Sequence, residues 1–140
     1  MTSITPYLLY TSCEDALDYL HRAFGFEEVL RYNGPEGYVT HAEMRIDGVP
    51  IMMGNPGEGY RNPRELGQET VGVYVEVDDS DAVYERASAA GAEIVDEPND
   101  RPYGHRTFTA RDPEGHYWYF AHVIADVPAE EWGAQVADVG

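Results

Sequence analysis

The sequence predicts an α+β fold built from two repeated modules, each consisting of a strand, a helix and three more strands. The first observation is a repeat, because the segment from Asp15 to Gly25 recurs at a constant offset from Asp81 to Gly91. The second is a hairpin pattern, in which alternating residues flank an Asp-Pro-Glu-Gly turn at 112–115. A repeated unit must bury its apolar face on a neighbour, so the two observations together favour paired βαβββ modules.

The first module is predicted to begin with a strand at 4–10 and a helix that Ser12 caps. Gly25 is typical of the left-handed residue that ends a helix. The apolar residues of this helix recur at helical spacing and form one stripe: Ala16, Leu17, Leu20, Ala23 and Phe24. Three strands are predicted to follow, at 27–32, 38–46 and 49–53.

The second module opens with a strand at 71–77, in which four valines alternate with Gly72, Tyr74 and Glu76. Asp79 or Ser80 is expected to cap the second helix, which then ends at Gly91. Three strands follow, at 93–97, 107–111 and 117–120, with a loop at 98–104 after the first of them.

The length of 140 residues suits one domain. We expect module one at about 4–54, a linker or lid at 55–69, module two at 70–123 and a C-terminal tail at 124–140. The lid is rich in glycine and proline, and a loop of that length is usually functional or mobile. The tail is predicted to form a short helix in which Trp132 anchors a partner subunit.

Composition restricts the partners of the chain. Acidic residues outnumber basic ones by 26 to 9, and the resulting net charge of -17 opposes binding to nucleic acids and anionic membranes. Cys13 is the only cysteine, so an internal disulfide is impossible and a reducing cytoplasm is the expected location. The chain has no signal-peptide pattern and no apolar run of roughly 20 residues that would span a membrane.

Strand alternation predicts that apolar side chains such as Met44, Val71 and Phe108 lie beneath the helices and that the residues between them face away from the helices. That face should be concave and aromatic, because tyrosine is enriched to 11 of 140 residues. Concave aromatic surfaces with few polar groups usually bind small molecules, and tyrosine suits flat ligands. The alternative is that tyrosines occupy an exposed face because they are good strand formers. The predicted ligand-binding residues are Tyr7, Arg45, Met52, Tyr74, Glu76, Thr109, Arg111, Tyr117 and Tyr119.

His41 and Glu43 are the candidate catalytic residues. They lie two positions apart on one strand, so both side chains are on the same face. A glutamate beside a histidine can act as an acid–base pair, whereas two groups without a third ligand bind a metal weakly. The alternative is a structural hydrogen-bonded pair with Arg45 or Arg111 nearby.

Other polar residues are assigned mainly structural roles. His105 and His116 lie in or beside turns and are expected only to shape them. Arg61 and Arg64 in the lid can close over an anionic or polyoxygenated ligand, although arginines in such loops are more often solvated.

The repeat and several short motifs resemble the vicinal-oxygen-chelate superfamily. The motifs lie at 14–17, 23–26, 41–44 and 112–118, and the resemblance spans about residues 4–123. This superfamily includes glyoxalases, extradiol dioxygenases, fosfomycin-resistance transferases and bleomycin-resistance binding proteins. The resemblance implies paired βαβββ modules that form a half-open curled sheet around a pocket, commonly in a homodimer.

The sequence departs from the metal-binding pattern that the resemblance implies. Enzymes of the superfamily place His, Gln or Glu ligands on the first and last strands of each module. None of the matching residues here is a plausible ligand for a divalent metal. These residues are Thr5, Met52, Gly72 and Tyr119.

We therefore predict no cofactor and a binding protein of the bleomycin-resistance branch, which sequesters an aromatic or antibiotic-like ligand in a tyrosine-lined cup. One alternative is a lyase, isomerase or cyclase that uses His41 and Glu43 as acid and base. Another is a metal-dependent glyoxalase- or dioxygenase-like enzyme with displaced ligands.

Overall fold

The computed structural model describes residues 1–138, and within them the chain forms two four-stranded sheets with three α-helices. Val139 and Gly140, the end of the predicted tail, lie outside the described residues. The first module contains β1 (Tyr7–Leu9), α1 (Cys13–Phe24), β2 (Glu27–Asn33), β3 (Val39–Ile46) and β4 (Val49–Gly54). The connecting segment contains α2 (Pro63–Leu66). The second module contains β5 (Val73–Glu76), α3 (Ser80–Ala89), β6 (Glu93–Asp100), β7 (His105–Arg111) and β8 (Tyr117–Val123), and a 3₁₀ turn follows at Ala129–Trp132.

The two sheets have the same topology, which confirms the predicted paired βαβββ modules. The strand order is β1-β4-β3-β2 in the first sheet and β5-β8-β7-β6 in the second. In each sheet the first strand of the module runs parallel to its last strand, and all other pairs are antiparallel. Neither sheet closes into a barrel. In the part of the chain that the structure describes, every helix is too short or too polar to cross a bilayer.

Helix α1 forms as its sequence predicts. The Ser12 side chain accepts a hydrogen bond from the backbone N–H of Asp15 at 3.3 Å, and Gly25 ends the helix with φ of 85°. The predicted apolar stripe is buried. The helix therefore starts and stops through local interactions, and it is held in place by its apolar face.

The two modules share one core and meet through their helices. Phe24 of α1 contacts Trp118 and Phe120 of β8, with ring centroids 5.7 and 4.8 Å apart. Arg86 of α3 donates hydrogen bonds to the carbonyls of His21 and Arg22 at the end of α1, at 2.7 and 3.0 Å. Within residues 1–138, no strand of one sheet pairs with a strand of the other.

The Asp-Pro-Glu-Gly turn has the predicted position between β7 and β8 and is also a centre of tertiary contacts. The buried Asp112 carboxylate accepts hydrogen bonds from the Tyr10 hydroxyl at 2.7 Å and from the Trp118 indole at 3.1 Å. It also accepts from the backbone N–H groups of Glu114 and His116, at 3.1 and 3.0 Å. One carboxylate therefore holds the turn closed and joins it to Tyr10, the residue that follows β1.

Glu114, in the same turn, binds the start of helix α1. Its carboxylate accepts hydrogen bonds from the backbone N–H groups of Thr11 and Ser12, at 2.6 and 3.0 Å, and from the Asn62 amide at 3.2 Å. A negative charge stabilises the N-terminus of a helix because the helix dipole is positive there. The turn of module two thus stabilises the first helix of module one.

The segment 55–69 has more structure than its composition predicts. Helix α2 begins with a capping box, in which the Asn62 side chain accepts from the Glu65 N–H and the Glu65 carboxylate accepts from the Asn62 N–H. The Arg64 guanidinium donates to the carbonyls of Pro113 and Asp112, at 2.8 and 3.0 Å, and it pairs with Glu93. Arg64 is therefore engaged within the chain, whereas the sequence suggested a solvated arginine or, less often, a ligand contact.

The edge strands at the start of each module are shorter than predicted. β1 begins at Tyr7 rather than residue 4, and β5 covers Val73–Glu76 rather than 71–77. Val71, expected beneath the helix, is 70% exposed. The reason is that β5 pairs only with β8, and this pairing begins where Val73 faces Trp118.

Two boundaries around α3 also differ from the predictions. The C-cap of α3 is Ala90, one residue before the expected Gly91. β6 extends to Asp100, across residues predicted as a loop, because Asp100 pairs with Arg106 of β7 in the ladder and as an ion pair at 2.9 Å. Pro98 is tolerated there because β6 is an edge strand with irregular pairing.

Candidate ligand-binding site

The outer face of each sheet, meaning the face turned away from α1 and α3, carries the predicted ligand-binding side chains. Inner residues such as Met44 and Phe108 are fully buried, in agreement with the predicted register. The first sheet carries Tyr7, His41, Glu43, Arg45 and Met52 on its outer face. The second sheet carries Tyr74, Glu76, Thr109, Arg111, Tyr117 and Tyr119. The predicted residues are thus divided between two surfaces.

Three residues of the first sheet form a continuous hydrogen-bonded chain. The Tyr7 hydroxyl lies 3.0 Å from Nδ1 of His41. Nε2 of His41 lies 2.9 Å from a carboxylate oxygen of Glu43. The side chains of His41 and Glu43 are each about one-third exposed, so a ligand can reach these hydrogen-bonded side chains. We refer to Tyr7, His41 and Glu43 as the relay.

Gly54 provides the space that the relay needs. It faces His41 across the β3–β4 pair, whereas Tyr7 faces Met52, which is two residues away on β4 and on the same face of the sheet. A Cβ atom on Gly54 would lie 2.7 Å from the Tyr7 hydroxyl oxygen, which is closer than real side-chain contacts. The Tyr7 ring therefore lies across a backbone without a side chain and reaches His41.

The second sheet presents a pair of adjacent tyrosines. Tyr74 on β5 faces Tyr119 on β8, and Tyr119 faces Thr109 on β7. Tyr74 and Tyr119 are 49% and 38% exposed, whereas Thr109 is only 7% exposed. A Cβ atom on Gly72 would overlap the Tyr119 ring, so this ring also lies over a glycine. We refer to Tyr74 and Tyr119 as the tyrosine pair.

The hydroxyl of Tyr74 is held by residues that sequence reasoning did not assign to the site. It lies 2.7 Å from Nδ1 of His105, which was expected only to shape a turn. Partial burial and, to a smaller extent, the neighbouring Tyr103 hydroxyl raise the pKa of Tyr74 to about 12. Tyr103 also contacts Trp132 of the same chain, with ring centroids 5.8 Å apart.

The predicted arginines are engaged within the chain. The Arg45 guanidinium lies 3.4 Å from the Glu27 carboxylate on the neighbouring strand. Arg111 lies over the ring of Tyr117, 5.5 Å from its centroid, and donates to the Gly115 carbonyl at 3.5 Å. The most accessible aromatic groups of the predicted set are therefore Tyr7 and the tyrosine pair.

The positions that would hold a metal by resemblance do not provide suitable donors. Met52 lies on β4 and Tyr119 on β8, whereas Thr5 and Gly72 precede β1 and β5. An aliphatic hydroxyl (Thr5), a thioether (Met52), a residue without a side chain (Gly72) and a phenol (Tyr119) do not form a ligand set for a divalent metal. Within residues 1–138, no three His, Cys, Asp or Glu side chains are grouped so that they could hold a metal ion.

Two histidines have structural roles that the sequence pattern does not reveal. His116 lies between two acceptors, with Nδ1 2.6 Å from the Glu69 carboxylate and Nε2 2.8 Å from the Leu9 carbonyl. It thereby joins the lid to β1. Nδ1 of His122 accepts a hydrogen bond from the Ser80 N–H at 2.8 Å, at the start of α3. No local signal predicts these contacts, because the partners are far apart in the sequence.

Comparison with known proteins places the chain in a family. Residues 4–120 match the Glyoxalase/Bleomycin resistance protein/Dioxygenase superfamily. An uncharacterized protein of Mycobacterium bovis is 31% identical over 143 residues, which cover 99% of this chain and 94% of that protein.

Solved structures show the same fold. TioX from Micromonospora sp. ML1 has 36% sequence identity and a TM-score of 0.72, over 88% of this chain and 99% of that one. The genomically encoded fosfomycin resistance protein FosX from Listeria monocytogenes has 16% identity and a TM-score of 0.64, over 94% of this chain and 97% of that one. With the duplicated βαβββ modules and a family match over most of its length, the chain belongs to the glyoxalase/bleomycin resistance protein/dioxygenase superfamily.

Proposed function

We propose that this protein binds an aromatic small molecule at the tyrosines of its outer faces, without a metal, and that it acts by sequestering the ligand. The observation that carries the proposal is the tyrosine pair. The two side chains belong to paired residues of β5 and β8 and are 49% and 38% exposed, with the Tyr119 ring lying over Gly72 and the Tyr74 hydroxyl held by His105 instead of being packed into the core. Aromatic surfaces of this kind gain both apolar burial and ring–ring contact when a flat ligand binds.

The ligand class follows from charge and family. A net charge of -17 attracts cations over long distances, which favours a ligand that carries a protonated amine. The superfamily takes part of its name from bleomycin resistance protein, so an antibiotic-like aromatic compound fits the proposal. Antibiotic resistance by sequestration is the biological role we propose.

We propose that a second copy of the chain covers the open faces. Tyr7 is 52% exposed and the tyrosine pair is nearly as open, so one face alone leaves a bound ligand largely in water. Small-molecule sites usually bury 70–90% of a drug-sized ligand. A homodimer would supply the missing wall of the cup.

Native mass spectrometry of the purified protein, with and without a chelator, tests the proposal. We expect the mass of a dimer and an additional organic mass that survives chelation and is lost on denaturation. A monomer without any adduct would contradict the dimeric cup. A divalent ion that the chelator removes would contradict metal-free binding.

A second candidate function is an acid–base enzyme, and the relay is the observation that favours it. A histidine held by a carboxylate can accept a proton, and general acid–base catalysis contributes roughly 10²–10⁴-fold to a rate. In this case Glu43→Gln should lower conversion of the compound recovered with the protein by roughly 10²-fold or more, while its affinity is retained.

The matched control for that measurement is Glu27→Gln, which removes an exposed carboxylate from the neighbouring strand β2. Product analysis by mass spectrometry reads the conversion. If the wild-type protein leaves the compound unchanged, the enzyme hypothesis fails and sequestration stands.

A further inference from the structure

We propose that the outer face of the first sheet selects ligands that donate an O–H or N–H hydrogen bond. The Tyr7 hydroxyl donates its proton to His41, so towards a ligand its oxygen can only accept. The ligand must therefore supply the hydrogen of this contact. This inference rests on the proposed function, because it concerns which aromatic ligands the protein binds. It goes further by naming the functional group that the ligand must carry.

The direction of each hydrogen bond follows from the chemistry of the three groups. The Glu43 carboxylate can only accept, so Nε2 of His41, 2.9 Å away, carries a hydrogen. When the imidazole is neutral, Nδ1 is then an acceptor. The Tyr7 hydroxyl, 3.0 Å from Nδ1, donates its single proton there. The Tyr7 oxygen faces the ligand with lone pairs only.

The position of the Tyr7 hydroxyl is fixed by its surroundings. The ring lies across Gly54, and its centroid is 5.7 Å from that of the His41 imidazole with the planes 32° apart. Rotation away from Nδ1 would break the only hydrogen bond that the hydroxyl makes with residues 1–138. The acceptor is therefore preorganised, while half of the Tyr7 side chain remains open to solvent.

The second sheet lacks this directional control. Tyr74 also contacts a histidine, because its hydroxyl lies 2.7 Å from Nδ1 of His105. Among the residues that the structure describes, no carboxylate hydrogen-bonds His105 to set its tautomer. The selection for donors is thus a property of the first sheet.

A pair of probes that differ only in the donor tests the inference. 2-Naphthol and 2-methoxynaphthalene share one ring system, but only the naphthol can donate to Tyr7. With the full-length wild-type protein, we expect 2-naphthol to bind roughly three to ten times more tightly, as a single hydrogen bond would give. Fluorescence titration or calorimetry measures both Kd values.

The variants locate the selectivity. Tyr7→Phe should bring the ratio of the two Kd values close to one, mainly by weakening 2-naphthol. Gly54→Ala keeps all three relay residues but displaces the Tyr7 hydroxyl, and it should reduce the ratio as well. The control is Tyr60→Phe, which removes a hydroxyl that donates to the Leu9 carbonyl and should leave the ratio unchanged.

The outcomes separate this inference from the proposed function. Equal binding of the two probes to the wild-type protein, or a ratio that survives Tyr7→Phe, overturns the donor selection and leaves aromatic binding intact. Failure of the protein to bind either probe overturns aromatic binding itself, and the donor selection with it. A ratio that is lost in both Tyr7→Phe and Gly54→Ala but kept in Tyr60→Phe supports the inference.

Discussion

Replacing Asp112 with alanine is expected to lower the free energy of unfolding by about 3–5 kcal/mol. The Asp112 carboxylate accepts hydrogen bonds from the Tyr10 hydroxyl, the Trp118 indole and two backbone N–H groups. The alanine variant leaves these four donors without that acceptor. Burial, together with the nearby Asp112 carboxylate, raises the pKa of Tyr10 well above its ordinary value, so its hydroxyl remains a donor that needs a partner. A buried donor without a partner costs about 1–3 kcal/mol.

Urea-induced unfolding followed by tryptophan fluorescence measures this loss, because Trp118 is itself a partner of Asp112. Asp112→Asn keeps the shape and one carbonyl oxygen, so it should cost less than the alanine variant. The control is Asp18→Ala, which removes a carboxylate from an exposed ion pair on α1 and should change stability by less than about 1 kcal/mol. An Asp112→Ala variant as stable as Asp18→Ala would refute the central role of the turn.

Truncating either member of the tyrosine pair is expected to raise the Kd for an aromatic ligand by roughly 30-fold, corresponding to about 2 kcal/mol. Tyr74 and Tyr119 are paired residues of adjacent strands and both are exposed, so Tyr74→Ala or Tyr119→Ala removes one of the two rings proposed to contact the ligand. Because both rings are proposed to contact the same ligand, the loss in the double variant should be smaller than the sum of the single losses. 2-Methoxynaphthalene is the suitable probe, because it has no hydrogen to donate and reports ring contact alone.

Tyr38→Ala serves as the control for this titration. Tyr38 precedes β3, and its hydroxyl lies near Gly57 in the connecting segment, away from the tyrosine pair. Thermal unfolding of each variant establishes that the fold is retained before affinities are compared. If Tyr74→Ala and Tyr119→Ala both bind the probe as tightly as the wild-type protein does, the proposed binding surface is wrong.

Much of the fold was predictable because it depends on near neighbours in the chain. Ser12 and Gly25 delimit α1 through contacts within a few residues, and alternation along β7 and β8 assigns Phe108 and Phe120 to the inner face. Strand ends were less predictable because they depend on a partner strand. Val71 belongs to a regular valine pattern, yet it is exposed because β8 offers it no pairing.

The candidate site was predictable only as a set of faces. Alternation places Tyr7, His41 and Tyr74 on outer faces, but it does not distinguish an exposed side chain from a buried one. Thr109 shares its face with Tyr119 and is nevertheless buried. Exposure depends on which side chains of neighbouring strands lie over a residue, and a single strand pattern does not contain that information.

The sequence by itself determined the duplicated modules, their helix caps and the orientation of alternating side chains, because these follow from backbone geometry over a few residues. The tertiary structure alone decided which polar groups meet. Tyr10 and Asp112 are 102 positions apart, and Glu69 and His116 are 47 apart. Such pairs depend on how the two modules and the segment 55–69 pack together in the folded chain. The relay likewise depends on the absence of a side chain at Gly54. Gly54 belongs to β4, and β4 lies beside Tyr7 only in the folded sheet.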